Sequence, residues 1–444
     1  MAKTTAQKKA PRKKAAKPPK NRVAIIAGCR TPFVRAFKEY NGLSPLELSR
    51  LAAAELMRRI EMDPKDFDNV FWGTTIPIMR FPNLGREVAI ALGNYDAPGQ
   101  TVMRACSSGS QSLTSGAEHI MMGYSSCALV GGADSISFAP VPYSKKVIDP
   151  LQDFGRAKSM GKKLEALRKV PLSGLIPTPP SLTEFSTGYT MGQHGEMMAK
   201  INGITREAQD DYAWLTHKRA GEATDDGRLP AELVPVYLPP KFEKVITFDT
   251  MIRKNPDRDS LKRLKPVFDR KYGTLTAGNS SPLTDGAAAL LIMSEERAKA
   301  EGRVPLGYLK AYAYVGIDPF EQLLLGPSYS TPLALDRAHL KLDDMEVIDM
   351  HEAFAVQILS NIQKLESEEF AQTKLNRKEP VGKIDMEKFN ILGGSVAVGH
   401  PFGATGTRQV ITALNELNRR KGQYAMVSQC AGGAMGSTLI FERE

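Results

Sequence analysis

Residues 106–132 read CSSGSQSLTSGAEHIMMGYSSCALVGG, and residues 400–433 read HPFGATGTRQVITALNELNRRKGQYAMVSQCAGG. Each stretch opens on a residue able to carry chemistry, Cys106 or His400, at a turn rich in small residues. Each then runs into a helical pattern (Ser107 to Met122; Thr407 to Arg419), an apolar strand (Cys127 to Val130; Tyr424 to Val427) and a glycine pair (Gly131-Gly132; Gly432-Gly433). The parallel extends upstream. A buried-strand pattern from Arg22 to Gly28, broken at Thr31-Pro32, matches one from Pro305 to Val315. A helix introduced by Ser44 and Pro45 matches one opened by Thr331-Pro332 and ending at His339, and Pro64 to Trp72 matches Leu342 to Met350 in type. Alternating strands and helices imply an α/β fold with mixed sheets, and the repeated order, with a period of about 270 residues, implies an internal duplication.

Between the halves the pattern changes. Residues 140–273 are rich in Lys, Pro and Gly, with one well-marked helix, Thr205 to Ala223, and an aperiodic stretch from Pro171 to Pro180. This reads as a loop domain inserted into the first half, after which Gly273 to Gly278 and Gly286 to Met293 return to the sheet. The chain then divides into a basic tail (1–22), a first half (23–139 and 274–298), the inserted loop domain (140–273) and a second half (305–444).

The 444 residues carry a formal charge of +10, which suggests a polyanionic partner until the charge is located. Seven lysines and two arginines lie within residues 1–22 with no acid among them, so the remainder carries only +1. The tail holds no apolar residue larger than Ala after Met1 and cannot offset its ordering entropy by burial, so it reads as disordered. A solubilising or weakly anion-attracting extension, an import signal and a polyanion-binding arm are its three readings, and mitochondrial import is disfavoured because the segment lacks an apolar helical face. No run reaches the length of a membrane span, no signal-peptide pattern opens the chain, and four cysteines without Cys-x-x-Cys spacing argue against a zinc ribbon or a disulfide framework.

Cys106 stands at a strand-to-helix junction, where exposed amides and the helix dipole favour the thiolate, and its Gly/Ser surroundings let a substrate approach the backbone. His400, amid Pro401 and the glycines 399, 403 and 406, is placed in a turn as a base or hydrogen-bond donor. Cys430, after a strand and before Gly432-Gly433, combines a thiol with free amides, which suits acid/base work beside an oxyanion hole. His351, in Asp349-Met-His-Glu-Ala-Phe-Ala355, ends a strand and completes a site at the sheet's carboxyl edge. Cys29, Cys127, His119, His217 and His339 read as structural. His194, in Met191-Gly-Gln-His-Gly-Glu196, is the one further histidine with a reading in a substrate channel. No metal-ligand spacing is present among these histidines.

Together, Cys106-Ser-Ser-Gly109, Ala277-Gly-Asn-Ser-Ser-Pro-Leu-Thr-Asp-Gly286, His351-Glu-Ala-Phe354, Gly399-His-Pro-x-Gly-x-x-Gly406 and Cys430-x-Gly-Gly433 resemble the thiolase superfamily from about Val23 to Glu442. The resemblance implies a thiolase fold: two duplicated βαβαβαββ halves of five strands each, in a five-layer α-β-α-β-α arrangement, with the loop domain over the active site. It implies thiolysis of 3-ketoacyl-CoA, with Cys106 as acyl-accepting nucleophile, His400 as its activator and an oxyanion donor together with a water positioned by His351, Cys430 as second acid/base, Gly432 as an oxyanion amide and Ser281 at the pantetheine. CoA and acyl-CoA are then substrates, with no permanently bound cofactor and no metal. His351 stands where many members have Asn and Ala434 where many have a third glycine. His351 and the segment Glu321 to Pro332 resemble the branch that contains the β-subunit of the fatty-acid oxidation trifunctional complex and its bacterial relatives. The family resemblance implies a homodimer or dimer of dimers, the branch implies pairing with a hydratase/dehydrogenase α-subunit, and a bacterial cytoplasmic location is expected. The basic pattern from Arg156 to Lys169 reads either as a solvated helix or as a weak membrane- or partner-docking surface. Biosynthetic acetyl-CoA acetyltransferase and 3-ketoacyl synthase are the competing activities, and Cys430 disfavours the synthase. A non-catalytic lipid carrier and a nucleic-acid-binding protein are the competing classes, the latter resting on the tail alone.

Overall fold

The computed structural model describes residues 21–141, 143–171 and 183–444. Most of the basic tail and nearly all of the aperiodic stretch from Pro171 to Pro180 lie outside the described residues. Arg22 does not share the disorder expected of the tail: its guanidinium bonds Glu442, Glu295 and Glu444 and stacks on Tyr308, 3.9 Å from the ring centre.

In the first half the strands run in the order Gln100–Val102, Asn69–Gly73, Cys127–Asp134, Thr284–Ser294, Val23–Arg30. The first three are parallel, and the last two are antiparallel additions. The second half repeats this with Val347–Met350, Tyr424–Ala431, Met435–Glu442 and Gly307–Gly316, one parallel pair followed by antiparallel partners. Its fifth strand is reduced to a bridge at Phe389, where Ile348 bonds Lys388 and Asn390 before left-handed turns at Asn390 and Gly393 lead the chain away. The two sheets also join edge to edge, Ala24 pairing with Tyr308 and Ile25 with Gly307, so their strands form one continuous ladder.

Strand alternation sorts side chains into three cores. Ala24, Ile26, Leu129 and Ala133 face an outer layer formed by the helices Pro45–Arg59 and Leu84–Ala91, whereas Val23, Ile25, Ala128 and Val130 face inward. Met426 and Ile440 face the other outer layer, which holds the helix Gly326–Ala338, and Ala425, Val427 and Leu439 face inward again. The middle layer is the packed pair Ser108–Met121 and Phe402–Arg420. A Cβ on Gly109 would meet Gly403 O at 2.8 Å, and one on Gly406 would meet Ser110 N at 2.5 Å, so both positions require glycine for the helices to pack this closely.

Several elements differ from the sequence reading. The strands Cys127–Asp134 and Tyr424–Ala431 run farther than expected, through Gly131-Gly132 and through Cys430, because in both halves an antiparallel neighbour supplies ladder bonds there. Gly273 to Gly278 makes one bridge, Pro266 to Thr276, and no strand. The second-half helix begins at Gly326: Pro327 takes its first turn, Asn361 Oδ1 accepts from Ser328 N at 3.0 Å, and Pro332 is interior. The inserted region is more helical than its composition suggests, with Lys145–Arg156, Met160–Arg168, Met191–Asn202 and Arg206–Asp225. Thr190 and Gln193 form a capping box ahead of the third of these, a signal present in the sequence. Buried Arg30 ties this region to the first strand through a bidentate pair with Asp249 and a bond to Glu232. No helix of the described residues is long and apolar enough to cross a membrane.

Candidate active site

Four segments from the two halves meet at the carboxyl edge of the sheets. Cys106 enters from the first half on a turn whose preceding residue, Ala105, holds φ at 44°, a conformation costly for a residue with a Cβ. Ser107 then caps the Ser108–Met121 helix without a side-chain bond, while Ser108 Oγ accepts from Arg104 N at 2.8 Å and fixes the turn. The Cys106 sulfur receives the Gly432 amide from the other half. Sequence reasoning expects this helix-end thiol to be acidified. Desolvation outweighs the two amides, however, and pushes it up to about 11, so at neutral pH the group is a thiol.

His351 follows the strand Val347–Met350, its amide bonded to Ser428 O at 2.8 Å, and its Nδ1 lies 2.8 Å from Ser395 Oγ. His400 is anchored by its amide to Thr284 Oγ1 at 2.7 Å, and its Nδ1 lies 2.7 Å from Thr405 Oγ1. The two rings stack with centroids 4.0 Å apart and planes inclined at 37°. Burial pushes both imidazoles down, His400 to about 3, with the Arg408 charge adding to the effect. Cys106 Sγ and one nitrogen of each ring lie within 4.8 Å of one another, so these residues are also the set that could jointly ligate a cation.

Cys430 is buried near the end of its strand, and burial followed by the neighbouring Cys106 raises its thiol well above the ordinary value. Beyond it the chain turns through Gly433 at φ 78° and Ala434 at φ 54°, so Ala434 adopts a left-handed geometry that favours glycine. Glu184, from the inserted region, accepts from Gly433 N at 2.8 Å and steadies this turn.

Cys106, His400, Cys430 and Ser281 line one cavity of about 500 Å³, whose apolar wall includes Phe185, Met191, Phe268, Leu283, Leu324 and Phe354. His351 is wholly buried beside His400 and does not line the cavity, yet one of its ring nitrogens lies within 4.8 Å of Cys106 Sγ. His194 is buried, bonds Thr187 Oγ1 at 2.8 Å and also does not line the cavity, whereas its neighbours Met191 and Gly192 do. Sequence reasoning missed Ser395, Thr405, Asp134, Glu184 and Glu352. Glu352 lies in the quoted His-Glu-Ala-Phe motif; wholly buried, it takes bonds from Tyr212, Thr216, Asn390 and Val396 N and joins the Arg206–Asp225 helix to the turn bearing Ser395. Thr405 is one helical turn beyond His400's own turn, a spacing visible in the sequence. Nothing local marks Ser395.

Comparison with known proteins gives a consistent result. Residues 23–296 match the family described as thiolase, N-terminal domain, and residues 303–443 the thiolase, C-terminal domain. A 3-ketoacyl-CoA thiolase from Shewanella pealeana is 45% identical over 424 residues, covering 95% of this chain and 97% of that one. One from Escherichia fergusonii is 44% identical over 425 residues, covering 96% and 97%. The crystal structure of human mitochondrial 3-ketoacyl-CoA thiolase superposes with a TM-score of 0.82 at 29% identity, covering 96% of this chain and 99% of that one. The Bacillus anthracis acetyl-CoA acetyltransferase superposes with a TM-score of 0.81 at 29% identity, covering 95% and 98%. With both halves matched in order and nearly the whole chain covered, this chain belongs to the thiolase family.

Proposed function

We propose that the chain is a 3-ketoacyl-CoA thiolase (acetyl-CoA C-acyltransferase) of fatty-acid β-oxidation, acting in the cytoplasm on CoA thioesters. The observation that carries this reading is the convergence of two cysteines and His400 on a single, largely apolar cavity. Cys106 Sγ attacks the C3 keto carbon while its proton passes to His400, which matches a neutral thiol beside a neutral imidazole. The C2–C3 bond breaks, and its electron pair leaves as the acetyl-CoA enolate. Cys430 protonates that enolate at C2, leaving an acyl thioester on Cys106. Incoming CoA gives its thiol proton to the Cys430 thiolate and attacks the thioester. Cys106 leaves as thiolate and recovers its proton from His400. We assign the keto oxygen to the His400 and His351 side and the thioester oxygen to the amides of Cys106 and Gly432, the latter supported by the Gly432 bond to the Cys106 sulfur. Run in reverse, the same groups perform a Claisen condensation.

CoA is the bound ligand of the human mitochondrial thiolase solved as its complex, at 29% identity and a TM-score of 0.81. For this chain we assign Ser281, in the cavity wall, to the pantetheine arm. The phenyl and aliphatic wall favours a long acyl chain over acetoacetyl-CoA, and the second cysteine disfavours a malonyl-decarboxylating synthase. Thiolysis of a C16 3-ketoacyl-CoA should exceed that of acetoacetyl-CoA; activity on acetoacetyl-CoA alone overturns the β-oxidation reading in favour of the biosynthetic one. Cys106→Ala should form no acyl adduct, and Cys430→Ser should lose deuterium exchange into acetyl-CoA. A homodimer or dimer of dimers, and pairing with a hydratase/dehydrogenase subunit, are proposed on the family resemblance.

The helices Lys145–Arg156 and Met160–Arg168 pack on each other and leave Ile148, Leu151, Met160, Leu164 and Leu167 exposed among lysines and arginines. This supports a weak contact with an anionic lipid surface. Sedimentation with phosphatidylglycerol vesicles at low salt tests it, and no co-sedimentation removes it.

A further inference from the structure

The two stacked histidines are bonded to different hydroxyls, and those hydroxyls commit their single proton differently. Thr405 Oγ1 lies 2.7 Å from His400 Nδ1 and 2.9 Å from the Pro401 carbonyl oxygen. A carbonyl only accepts, so the hydroxyl proton belongs on the Pro401 contact. Turned toward His400 instead, it would leave two oxygens facing each other at 2.9 Å with no proton between them. Thr405 Oγ1 therefore accepts from His400. His400 carries its proton on Nδ1, and its Nε2 is a bare lone pair.

Ser395 is arranged the other way. Its Oγ lies 2.8 Å from His351 Nδ1 and 3.3 Å from Arg408 Nη2. A guanidinium only donates, and this one is held by Asp349 Oδ2 at 3.0 Å, itself bonded by Gln409. Ser395 Oγ thus accepts from Arg408. Among the described residues, its own proton has one acceptor within reach, His351 Nδ1. Were His351 protonated at Nδ1, the wholly buried serine hydroxyl would have nowhere to donate. His351 therefore carries its proton on Nε2.

Both Nε2 atoms are buried and meet no partner among the described residues. We infer that Thr405 and Ser395 are positioning residues that impose opposite tautomers on neighbouring imidazoles, a bare Nε2 on His400 to take the Cys106 proton and an Nε2–H on His351 to donate to the oxygen of the attacked carbonyl. Arg408 acts through Ser395, and Asp349 through Arg408, which gives this buried ion pair a role. The division of labour also opposes metal capture by Cys106, His351 and His400, since His351 would have to surrender its Nε2 proton against the Ser395 bond. The catalytic half of this inference rests on the thiolase reading; the tautomers do not.

The chain has six histidines, few enough for 15N-histidine NMR of the whole protein, with His351→Gln and His400→Gln assigning the two sets of signals. The expected spectrum shows His400 protonated at Nδ1 and His351 at Nε2, neither titrating near neutral pH. The same tautomer on both rings, or the reverse assignment, overturns the inference. If the histidine variants do not fold, the unsubstituted protein still decides: absence of any neutral Nδ1–H histidine overturns it. Thr405→Val should mix the His400 tautomers and lower kcat at least about tenfold with little change in KM, and Thr405→Ser should recover most of that loss. Ser395→Ala should do the same to His351. Altered tautomers with unchanged kcat would refute the catalytic assignment while leaving the tautomers standing, and an inactive wild-type protein with the expected spectrum would refute the thiolase reading alone.

Discussion

The carboxylate of Asp134, at the end of a first-half strand, accepts a 2.7 Å hydrogen bond from the amide of Gly403, the second residue of the second-half helix Phe402–Arg420. The same carboxylate takes bonds from the Thr74 and Thr75 hydroxyls, each at 2.6 Å, and from Thr75 N. A wholly buried acid at a helix N-terminus thus fixes the helix whose entry turn carries His400. Asp134→Ala leaves these donors unpaired and should destabilise the protein by about 2–5 kcal/mol in urea denaturation. It should also lower kcat by loosening His400. A loss within experimental error would show that the helix is held by packing alone.

Desolvation of the Cys106 thiol gives a chemical signature. With the group pushed up to about 11, its thiolate fraction grows about tenfold per pH unit across the neutral range. Inactivation by iodoacetamide should follow that slope from about pH 7 to about pH 9.5, with CoA protecting. A plateau below about pH 8 would mean that the thiol is acidified in solution, as its position at a helix end alone suggests.

That reversal shows where sequence reasoning stops. Cys106, His400, Cys430 and Gly432 were legible because glycine turns and helix starts are local patterns, and the duplication was legible because the same patterns recur in order. Burial is not local. The elevated thiol comes from both halves closing over it, and the wholly buried Ser395–Arg408–Asp349 series joins three separate elements, so no spacing announces it. Proline and glycine misled where tertiary contacts overrode propensity. Pro332 lies inside a helix because its start is fixed upstream by Pro327 and Asn361, and Gly131-Gly132 lies inside a strand because the antiparallel strand Thr284–Ser294 pairs with it there; the helix Phe402–Arg420 packs so close that a Cβ on Gly132 would meet Gly403 O at 2.0 Å.

Acid should unfold the protein through its buried histidines. Burial pushes His217 down to about 4 and His400 to about 3, with nearby arginines adding to each effect, while both return to about 6.5 on unfolding. The unfolded chain therefore binds protons that the folded one refuses. Stability is complete above about 6.5 and is lost as pH falls from there toward 4 and 3. The urea midpoint should drop between about pH 7 and about pH 5, and His217→Gln should flatten the drop without altering activity at neutral pH. An unchanged slope in that variant would move the proton uptake to other groups.

Chain-length selection should be adjustable at Gly192. Gly192 and Phe268 both line the cavity, and a Cβ on Gly192 would meet the Phe268 ring at 2.3 Å. The ring cannot simply retreat, because its edge-to-face contact with Phe354, with centroids 5.9 Å apart, closes one side. A methyl at position 192 should therefore drive Phe268 toward the space we assign to the acyl chain. Gly192→Ala should lower kcat/KM for a C16 3-ketoacyl-CoA at least about tenfold while changing acetoacetyl-CoA much less, since a pocket excluding a few methylenes loses about 1–3 kcal/mol of binding for each steric step. Adding Phe268→Leu, which removes the displaced ring, should restore the long substrate. Equal losses on both substrates would place the acyl chain elsewhere in the cavity and leave Gly192 as a packing residue beneath Phe268.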